Sequence, residues 1–210
     1  QNRLFLEICS AAFDDAGYAP ASLADQRVGV FAGGGSALTS YLLAYSQHPA
    51  LRGQTAGLEH ITNDRDFLST RVSYKLNLTG PSLTVQTACS TSLVAVHLAT
   101  QSILNGECDL ALAGASVVRI PHTAGYFAER GSVHSADGHC RPFDANGSGT
   151  IFGSGVAAVL LKPLEAALAD GDNIYAVIKS TVAANDGSEK VSYTASSATG
   201  QARAIVEALS

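Results

Sequence analysis

The sequence has few charged residues and no cluster of basic ones. Only 15% of its 210 residues are charged, and 13 lysines and arginines are scattered singly among 18 aspartates and glutamates, for a formal net charge of −5. Nucleic acids and anionic membranes are bound through concentrated basic patches, so neither is expected as the main partner. Hydrophobic residues make up 46% of the chain, which predicts a folded domain with a large apolar core.

Long apolar runs and paired cysteines are also missing. No apolar stretch approaches the roughly 18 residues that a membrane-spanning helix requires, and the sequence pattern predicts no signal peptide. The four cysteines include no Cys-x-x-Cys pair and none at metal-ligand spacing with histidine: Cys9, Cys89, Cys108 and Cys140. We therefore expect a soluble, cytoplasmic protein with no metal site, in which each cysteine is by default a small buried side chain.

The apolar periodicity predicts alternating helices and strands. Helical spacing recurs over 5–16, 66–76, 89–105, 164–168 and from 201 onward. Strand patterns cover 27–33, 82–88, 110–118, 149–161 and 174–184. A surface excursion with short helices is expected over 36–66, and the helix over 89–105 is apolar enough to be interior. The predicted fold class is α/β with a covered, mainly parallel sheet.

The chain begins and ends within helical patterns. Gln1 enters the first helix directly, without an initiator methionine, and the last pattern still continues at Ser210. Natural domains rarely start and stop inside helices. We interpret the chain as a segment of a longer reading frame.

The surroundings of Cys89 suit a nucleophilic thiol. A strand pattern ends at Ala88, the chain turns, and a long helix begins, with small residues beside the sulfur. A helix N-terminus carries partial positive charge and unpaired N–H groups. Both favour the thiolate, and a free N–H can stabilise an oxyanion on an attacked thioester. The alternative is a structural cysteine that fits a tight turn.

The run TACSTS over 87–92, followed by LVAVH, resembles the active-site segment of β-ketoacyl synthase domains. It is most similar to the ketosynthases of modular type I polyketide synthases. Other segments resemble ketosynthase segments in the same order, over 3–7, 63–68, 71–74, 80–82, 137–144 and 185–188. The resemblance extends over nearly the whole chain.

This resemblance implies a thiolase-like layered fold of two βαβαβ halves. The chain would hold the N-terminal half without its first strand (1–191) and the beginning of the C-terminal half (192–210). It also implies a homodimer in which the strand over 82–88 pairs with its twin. No cofactor or metal would bind directly, because the substrates are carried on the phosphopantetheine of an acyl carrier protein.

The implied reaction has two steps, and the second needs groups that this sequence lacks. Cys89 would accept an acyl chain from a carrier-bound thioester, and a malonyl-type unit would then lose carbon dioxide and attack it. Ketosynthases assist the second step with histidines of a His-Gly-Thr-Gly-Thr and a Lys-x-x-x-Gly-His segment. Neither segment occurs here, so none of the six histidines is assigned a catalytic role.

The remaining conspicuous residues are predicted to be structural. His97 lies about 12 Å along the helix from Cys89 and is expected on its polar stripe. The other five histidines are expected at the surface: His48, His60, His122, His134 and His139. No Lys-Ser/Thr follows the glycines over 33–35, so a tight turn is favoured over a phosphate cradle. Asp144 is expected only to accept hydrogen bonds that stabilise its own segment.

The favoured function is decarboxylative condensation in polyketide biosynthesis, with a fatty-acid-type synthase of the same fold as a related alternative. A different class is a non-elongating domain that binds or transfers acyl chains and serves as a dimer platform. Such domains keep the cysteine and lose a downstream histidine, so these residues do not separate the two classes. We expect the chain by itself to be inactive in condensation.

Overall fold

The computed structural model describes residues 1–35, 64–120, 125–129 and 131–210. Its α-helices are α1 (Asn2–Asp15), α2 (Leu68–Leu76), α3 (Thr91–Leu104), α4 (Leu164–Asp170) and α5 (Ala198–Leu209). Its strands are β1 (Val28–Gly34), β2 (Ser82–Thr84), β3 (Leu110–Val117) and β4 (Gly155–Leu161). Short 3-10 helices cover Pro20–Leu23, Arg65–Phe67 and Ala88–Ser90. The excursion predicted over 36–66 lies outside the described residues, apart from its last three.

The four strands form one sheet in the order β2-β1-β3-β4. β2, β1 and β3 are parallel, with Val30 opposite Ser82 on one side and Leu112 on the other. β4 runs antiparallel to β3. β1 and most of β3 are buried, as expected for central strands covered on both faces. The predicted α/β class is confirmed, and the mainly parallel sheet has one antiparallel edge strand.

Helices cover both faces of this sheet. Successive strand residues point to opposite faces. Val30 therefore packs with Phe5 of α1 in a core cluster that also includes α2, whereas Phe31 packs with Ala95 of α3 in a second cluster. Because α3 follows Cys89 directly, its packing on the sheet fixes the position of the predicted site.

The predicted helix ends agree with the structure at α1 and α2. Gly17 follows the C-cap of α1 at a φ of +77°, and Asn77 is the C-cap of α2 at a φ of +55°. Both are left-handed conformations that glycine and asparagine tolerate well. The last helix begins three residues before its predicted start, because the Ser197 side chain caps it by accepting a hydrogen bond from the Gly200 N–H at 3.1 Å.

Two strands are shorter than predicted. The pattern over 82–88 forms a ladder only as far as Thr84, after which the Val85 N–H still donates to the Ala32 carbonyl at 2.8 Å. The pattern over 149–161 becomes a strand only at Gly155, which lies opposite Val117, the last residue of β3. Each ladder therefore stops where the chain turns away or the partner strand ends, although the apolar pattern continues.

The strand predicted over 174–184 is wrong for the described residues, which form no ladder there. Within this segment, Thr181 Oγ1 lies 2.9 Å from Nδ1 of His97 on α3. A strand needs a hydrogen-bonded neighbour. Residues 174–178 line the same cavity as residues 158–161 of the edge strand β4, but the two segments form no ladder. The prediction that α3 is an interior helix holds for only one of its faces, because Leu93 and Leu104 on α3 are 74% and 73% exposed.

A lysine cluster joins the end of α1 to β4 and α4. The Lys162 ammonium donates to the Tyr18 hydroxyl at 2.6 Å, to Asp172 at 2.7 Å and to Asp170. The Tyr18 hydroxyl in turn donates to Asp172 at 2.7 Å. The Lys162 side chain is only 10% exposed, so its charge is balanced mainly by these partners.

Candidate active site

Cys89 lies where the chain passes from β2 to α3. A single 3-10 turn leads into the helix, formed by hydrogen bonds from Ser90 N–H to the Thr87 carbonyl at 3.2 Å and from Thr91 N–H to the Ala88 carbonyl. Neither bond uses the Cys89 N–H. The predicted strand-to-helix junction is confirmed, with the α-helix itself starting at Thr91.

The Cys89 side chain is exposed and its thiol is free. α3, the helix that follows, has 14 residues and no acidic residue in its first turn. The partial positive charge of the helix N-terminus is therefore not offset by a neighbouring carboxylate of that turn. An accessible sulfur can attack a carbonyl carbon, and an adjacent N–H group that the hydrogen bonds of the turn do not use can stabilise the resulting oxyanion.

Ala88, immediately before the thiol, has a left-handed backbone conformation with a φ of +52°. Such a conformation costs a residue with a Cβ about 1 to 2 kcal/mol. Strain of this kind is concentrated at functional sites, where the surrounding contacts impose it. The amino-acid sequence gives no signal for it, because alanine at a turn does not predict a positive φ.

Thr91 is a second site residue that the sequence analysis missed. Its hydroxyl donates to the Ala88 carbonyl at 2.7 Å and accepts from the Thr87 N–H at 2.9 Å. The residue is 8% exposed, so both bonds are shielded from water. A Ser/Thr residue near a helix start is a general signal for such bonds, but it does not identify which backbone groups they join.

The three glycines over 33–35 do not form the predicted tight turn. Gly33 and Gly34 are the last residues of β1. A Cβ on Gly33 would lie 2.0 Å from Thr91 Cγ2 and 2.4 Å from the Val85 carbonyl oxygen. The missing side chain therefore allows the turn that carries Cys89 to pack directly on the central strand.

The described histidines have different surroundings. His97 is partly buried, with its Nδ1 at 2.9 Å from Thr181 Oγ1. His139 is exposed, as predicted. His134 is partly buried between Tyr126, stacked at 4.8 Å between ring centroids, and Phe152, edge-on at 4.9 Å. His48, His60 and His122 lie outside the described residues.

Two of the other three cysteines are buried, as predicted by default. Burial raises the pKa of the Cys9 thiol to about 12 and also raises the pKa of Cys108. Cys140 is exposed instead, and hydrogen bonds from the Thr150 hydroxyl and the Ile151 N–H lower its pKa. Exposure alone therefore does not distinguish Cys89 from Cys140.

The segment over 137–144 forms a hydrogen-bonded turn around two aspartates. Hydrogen bonds from the Ser135 hydroxyl and the Arg141 guanidinium lower the pKa of Asp137 to about 2. An Asp144 carboxylate oxygen accepts from the Asn146 N–H at 2.7 Å, in agreement with the structural role expected for this residue.

The described ranges contain no group of three or more histidine, cysteine or acidic side chains arranged to hold a metal ion. In the same part of the chain, every helix is too short or too polar to cross a bilayer.

Residues 1–167 match the family described as Beta-ketoacyl synthase, N-terminal domain. The chain is 50% identical over 216 residues to a component of the phenolphthiocerol/phthiocerol polyketide synthase of Mycobacterium tuberculosis, covering 99% of this chain and 14% of that protein. It is 46% identical over 192 residues to polyketide synthase PksM of Bacillus subtilis, covering 85% of this chain and 4% of that protein.

Solved ketosynthases share the fold. Ketosynthase twelve of the bacillaene polyketide synthase of Bacillus amyloliquefaciens has a TM-score of 0.88 and 34% identity, covering 100% of this chain and 36% of that one. An oxazolomycin ketosynthase domain of Streptomyces albus JA3453 has a TM-score of 0.84 and 36% identity, covering 100% and 35%. The thiolase-like fold implied by the resemblance is confirmed.

The chain belongs to the β-ketoacyl synthase family. Within that family it is part of a ketosynthase domain of the modular polyketide synthase type, as the sequence predicts. It spans about a third of the length of the solved ketosynthases and a much smaller share of the curated polyketide synthases.

Proposed function

We propose that the chain carries the acyl-accepting nucleophile of a ketosynthase that extends polyketides. The Cys89 sulfur attacks the carbonyl carbon of an acyl thioester. The tetrahedral oxyanion then collapses, the bond from carbon to the departing sulfur breaks, and the leaving thiol takes the proton. A malonyl-type thioester next loses carbon dioxide, and its carbanion attacks acyl-Cys89, which forms a β-ketoacyl thioester and frees the thiol.

One observation carries this proposal: the exposed Cys89 thiol lies at a strand-to-helix turn whose hydrogen bonds do not use the Cys89 N–H. The sulfur and the potential oxyanion donor thus belong to the same residue. Among the described cysteines, only Cys140 is also exposed, and it lies in a loop rather than at a helix start.

The proposed partner is an acyl carrier protein, which presents acyl and malonyl-type groups on its own phosphopantetheine. The names of the relatives as polyketide synthases support this choice over a fatty-acid role. No cofactor is proposed to bind the chain itself. All four cysteines are free, which supports the proposed reducing, cytoplasmic location.

We also propose a homodimer formed along β2. This strand is at the edge of the sheet, so one side of its backbone has no hydrogen-bonded partner among the described strands. Its central residue, Leu83, is 51% exposed. Edge strands of this kind pair readily with another chain.

The proposed boundary between the two ketosynthase halves falls after residue 191.

Acyl-group mapping tests the nucleophile. The protein is incubated with an acyl thioester and digested, and mass spectrometry locates the acyl group. We expect it on Cys89, lost in Cys89→Ala and retained in Cys140→Ala, the matched variant of the other exposed thiol. An acyl group on Cys9, Cys108 or Cys140 in the unmodified sequence would refute the assignment.

A further inference from the structure

The Thr91 hydroxyl holds peptide groups on both sides of Ala88. It donates to the Ala88 carbonyl at 2.7 Å and accepts from the Thr87 N–H at 2.9 Å. Ala88 has a φ of +52°, which its residue type does not favour. The surrounding contacts must therefore impose this conformation. The Thr91 hydroxyl provides two of them, and the Thr91 N–H provides a third by donating to the Ala88 carbonyl.

One of these bonds controls the direction of the Cys89 N–H. The Ala88 carbonyl and the Cys89 N–H belong to the same peptide group, which is planar and trans, so they point in opposite directions. Anchoring the carbonyl oxygen towards the Thr91 side chain therefore turns the Cys89 N–H away from it. The two bonds that form the turn leave that N–H unused.

The position of Thr91 is fixed by the central strand. A Cβ on Gly33 would lie 2.0 Å from Thr91 Cγ2, so the methyl group occupies the space that a side chain at this position would fill. Because Thr91 is 8% exposed and packed in this way, its hydroxyl has little freedom to leave the two backbone groups.

We propose that Thr91 is a positioning residue of the ketosynthase. Its hydroxyl orients the Ala88–Cys89 peptide so that the Cys89 N–H donates to the oxyanion formed when Cys89 attacks a thioester. This inference rests on the proposed function, since it concerns the acylation of Cys89. Thr91 itself does not touch the acyl group.

Two reactions of the same thiol separate this role from a general structural one. Acylation by a thioester places negative charge on the carbonyl oxygen, whereas alkylation by iodoacetamide displaces iodide and forms no oxyanion. Thr91→Val keeps the side-chain shape and removes the hydroxyl. We expect acylation of Cys89 to slow by at least about tenfold, because loss of an oxyanion donor costs about 100-fold to 1000-fold. Alkylation should change by less than about threefold.

The conservative variant and the buried thiols are the controls. Thr91→Ser keeps the hydroxyl and should keep the ratio of acylation to alkylation of the unmodified sequence. Labelling of Cys9 and Cys108, which are buried, reports unfolding in the same digests. Thr91→Ala, which has a smaller side chain, replaces Thr91→Val if the latter unfolds. The experiment uses the longest natural chain that contains these residues.

The outcomes distinguish this inference from the proposed function. If Cys89 is acylated in the unmodified sequence but Thr91→Val slows neither reaction, or slows both equally, Thr91 does not orient an oxyanion donor. A changed ratio of acylation to alkylation in Thr91→Ser also overturns the inference. If Thr91→Val and Thr91→Ala both unfold, the ratio in Thr91→Ser alone serves as the test. If Cys89 is not acylated in the unmodified sequence, the proposed function itself fails.

Discussion

At the scale of single residues, the site depends on small side chains that let backbone segments approach closely. Gly33 leaves room for Thr91, and Ala88 turns the chain with a left-handed backbone. The Cys89 position at a strand-to-helix junction could be predicted from the periodicity on either side of it. The contacts of Gly33 and Thr91 could not, because these residues are far apart in sequence and only the packed fold brings them together.

The close approach at Gly33 leads to a stability prediction. In Gly33→Ala, the new Cβ would meet Thr91 Cγ2 at 2.0 Å, so the turn or the strand must shift. Overpacking of this kind destabilises a protein by about 1 to 3 kcal/mol. The matched control is Gly155→Ala, at another strand glycine of the same sheet, where a Cβ meets nothing within 4 Å. Its effect should be within about 1 kcal/mol.

Urea unfolding of both variants measures this difference. The free energy of unfolding should fall clearly for Gly33→Ala and change little for Gly155→Ala. Equal stability of the two variants would mean that the turn carrying Cys89 can move away from β1 at little cost.

At the scale of elements, the periodicity predicted most helices and strands because burial on one face leaves a clear pattern. It failed where a strand depends on a neighbour that the local pattern does not specify. The residues over 174–184 have a strand pattern but no partner strand among the described residues. Likewise, β4 begins only opposite the end of β3. Apolar alternation predicts that a segment can be a strand, and the partner decides whether it is.

The Lys162 cluster links three elements and predicts a pH-dependent stability. Hydrogen bonding by Lys162 is the main cause of a lowered pKa at Asp172. A carboxyl group with a lowered folded-state pKa stabilises the fold above its unfolded pKa, and this contribution is lost as the pH falls through the folded value. Asp172→Asn should therefore cost about 1.5 to 3 kcal/mol near neutral pH, a range typical of hydrogen bonds to charged groups. Below the lowered folded-state pKa of Asp172, where this carboxyl group is protonated in both states, the variant and the unmodified chain should converge.

Asp170→Asn is the matched control, since Asp170 contacts the same ammonium but is 55% exposed, against 18% for Asp172. Exposed ion pairs contribute about 0 to 1 kcal/mol. Unfolding free energies are measured for both variants across the acidic range. If Asp172→Asn costs the same at low pH as at neutral pH, the charge of Asp172 does not stabilise the cluster.

At the scale of the whole molecule, the sheet and α3 position Cys89, the proposed nucleophile, but the residues proposed to assist the second step of the reaction are missing from the sequence. The family's two histidine segments do not occur in these 210 residues. Each described histidine contacts a different residue. His97 Nδ1 lies near Thr181 Oγ1, the His134 ring stacks on Tyr126, and His139 Nδ1 lies near the Asp137 carbonyl oxygen. Nothing in these contacts resembles a pair of donors directed at a common substrate.

These 210 residues alone should accept an acyl group but not decarboxylate a malonyl thioester. The proposed acylation needs the Cys89 thiol and a backbone donor such as the Cys89 N–H, which the hydrogen bonds of the turn do not use. Carbanion formation needs donors for the enolate charge, and each missing donor costs about 100-fold to 1000-fold in rate. The purified chain is incubated separately with acyl and malonyl thioesters, and acyl-protein and released carbon dioxide are measured. A ketosynthase that contains both histidine segments is the positive control, and Cys89→Ala is the negative one for acylation. Clear decarboxylation by the chain would contradict this prediction, and histidine-to-alanine variants would then identify which of the six histidines stabilises the enolate.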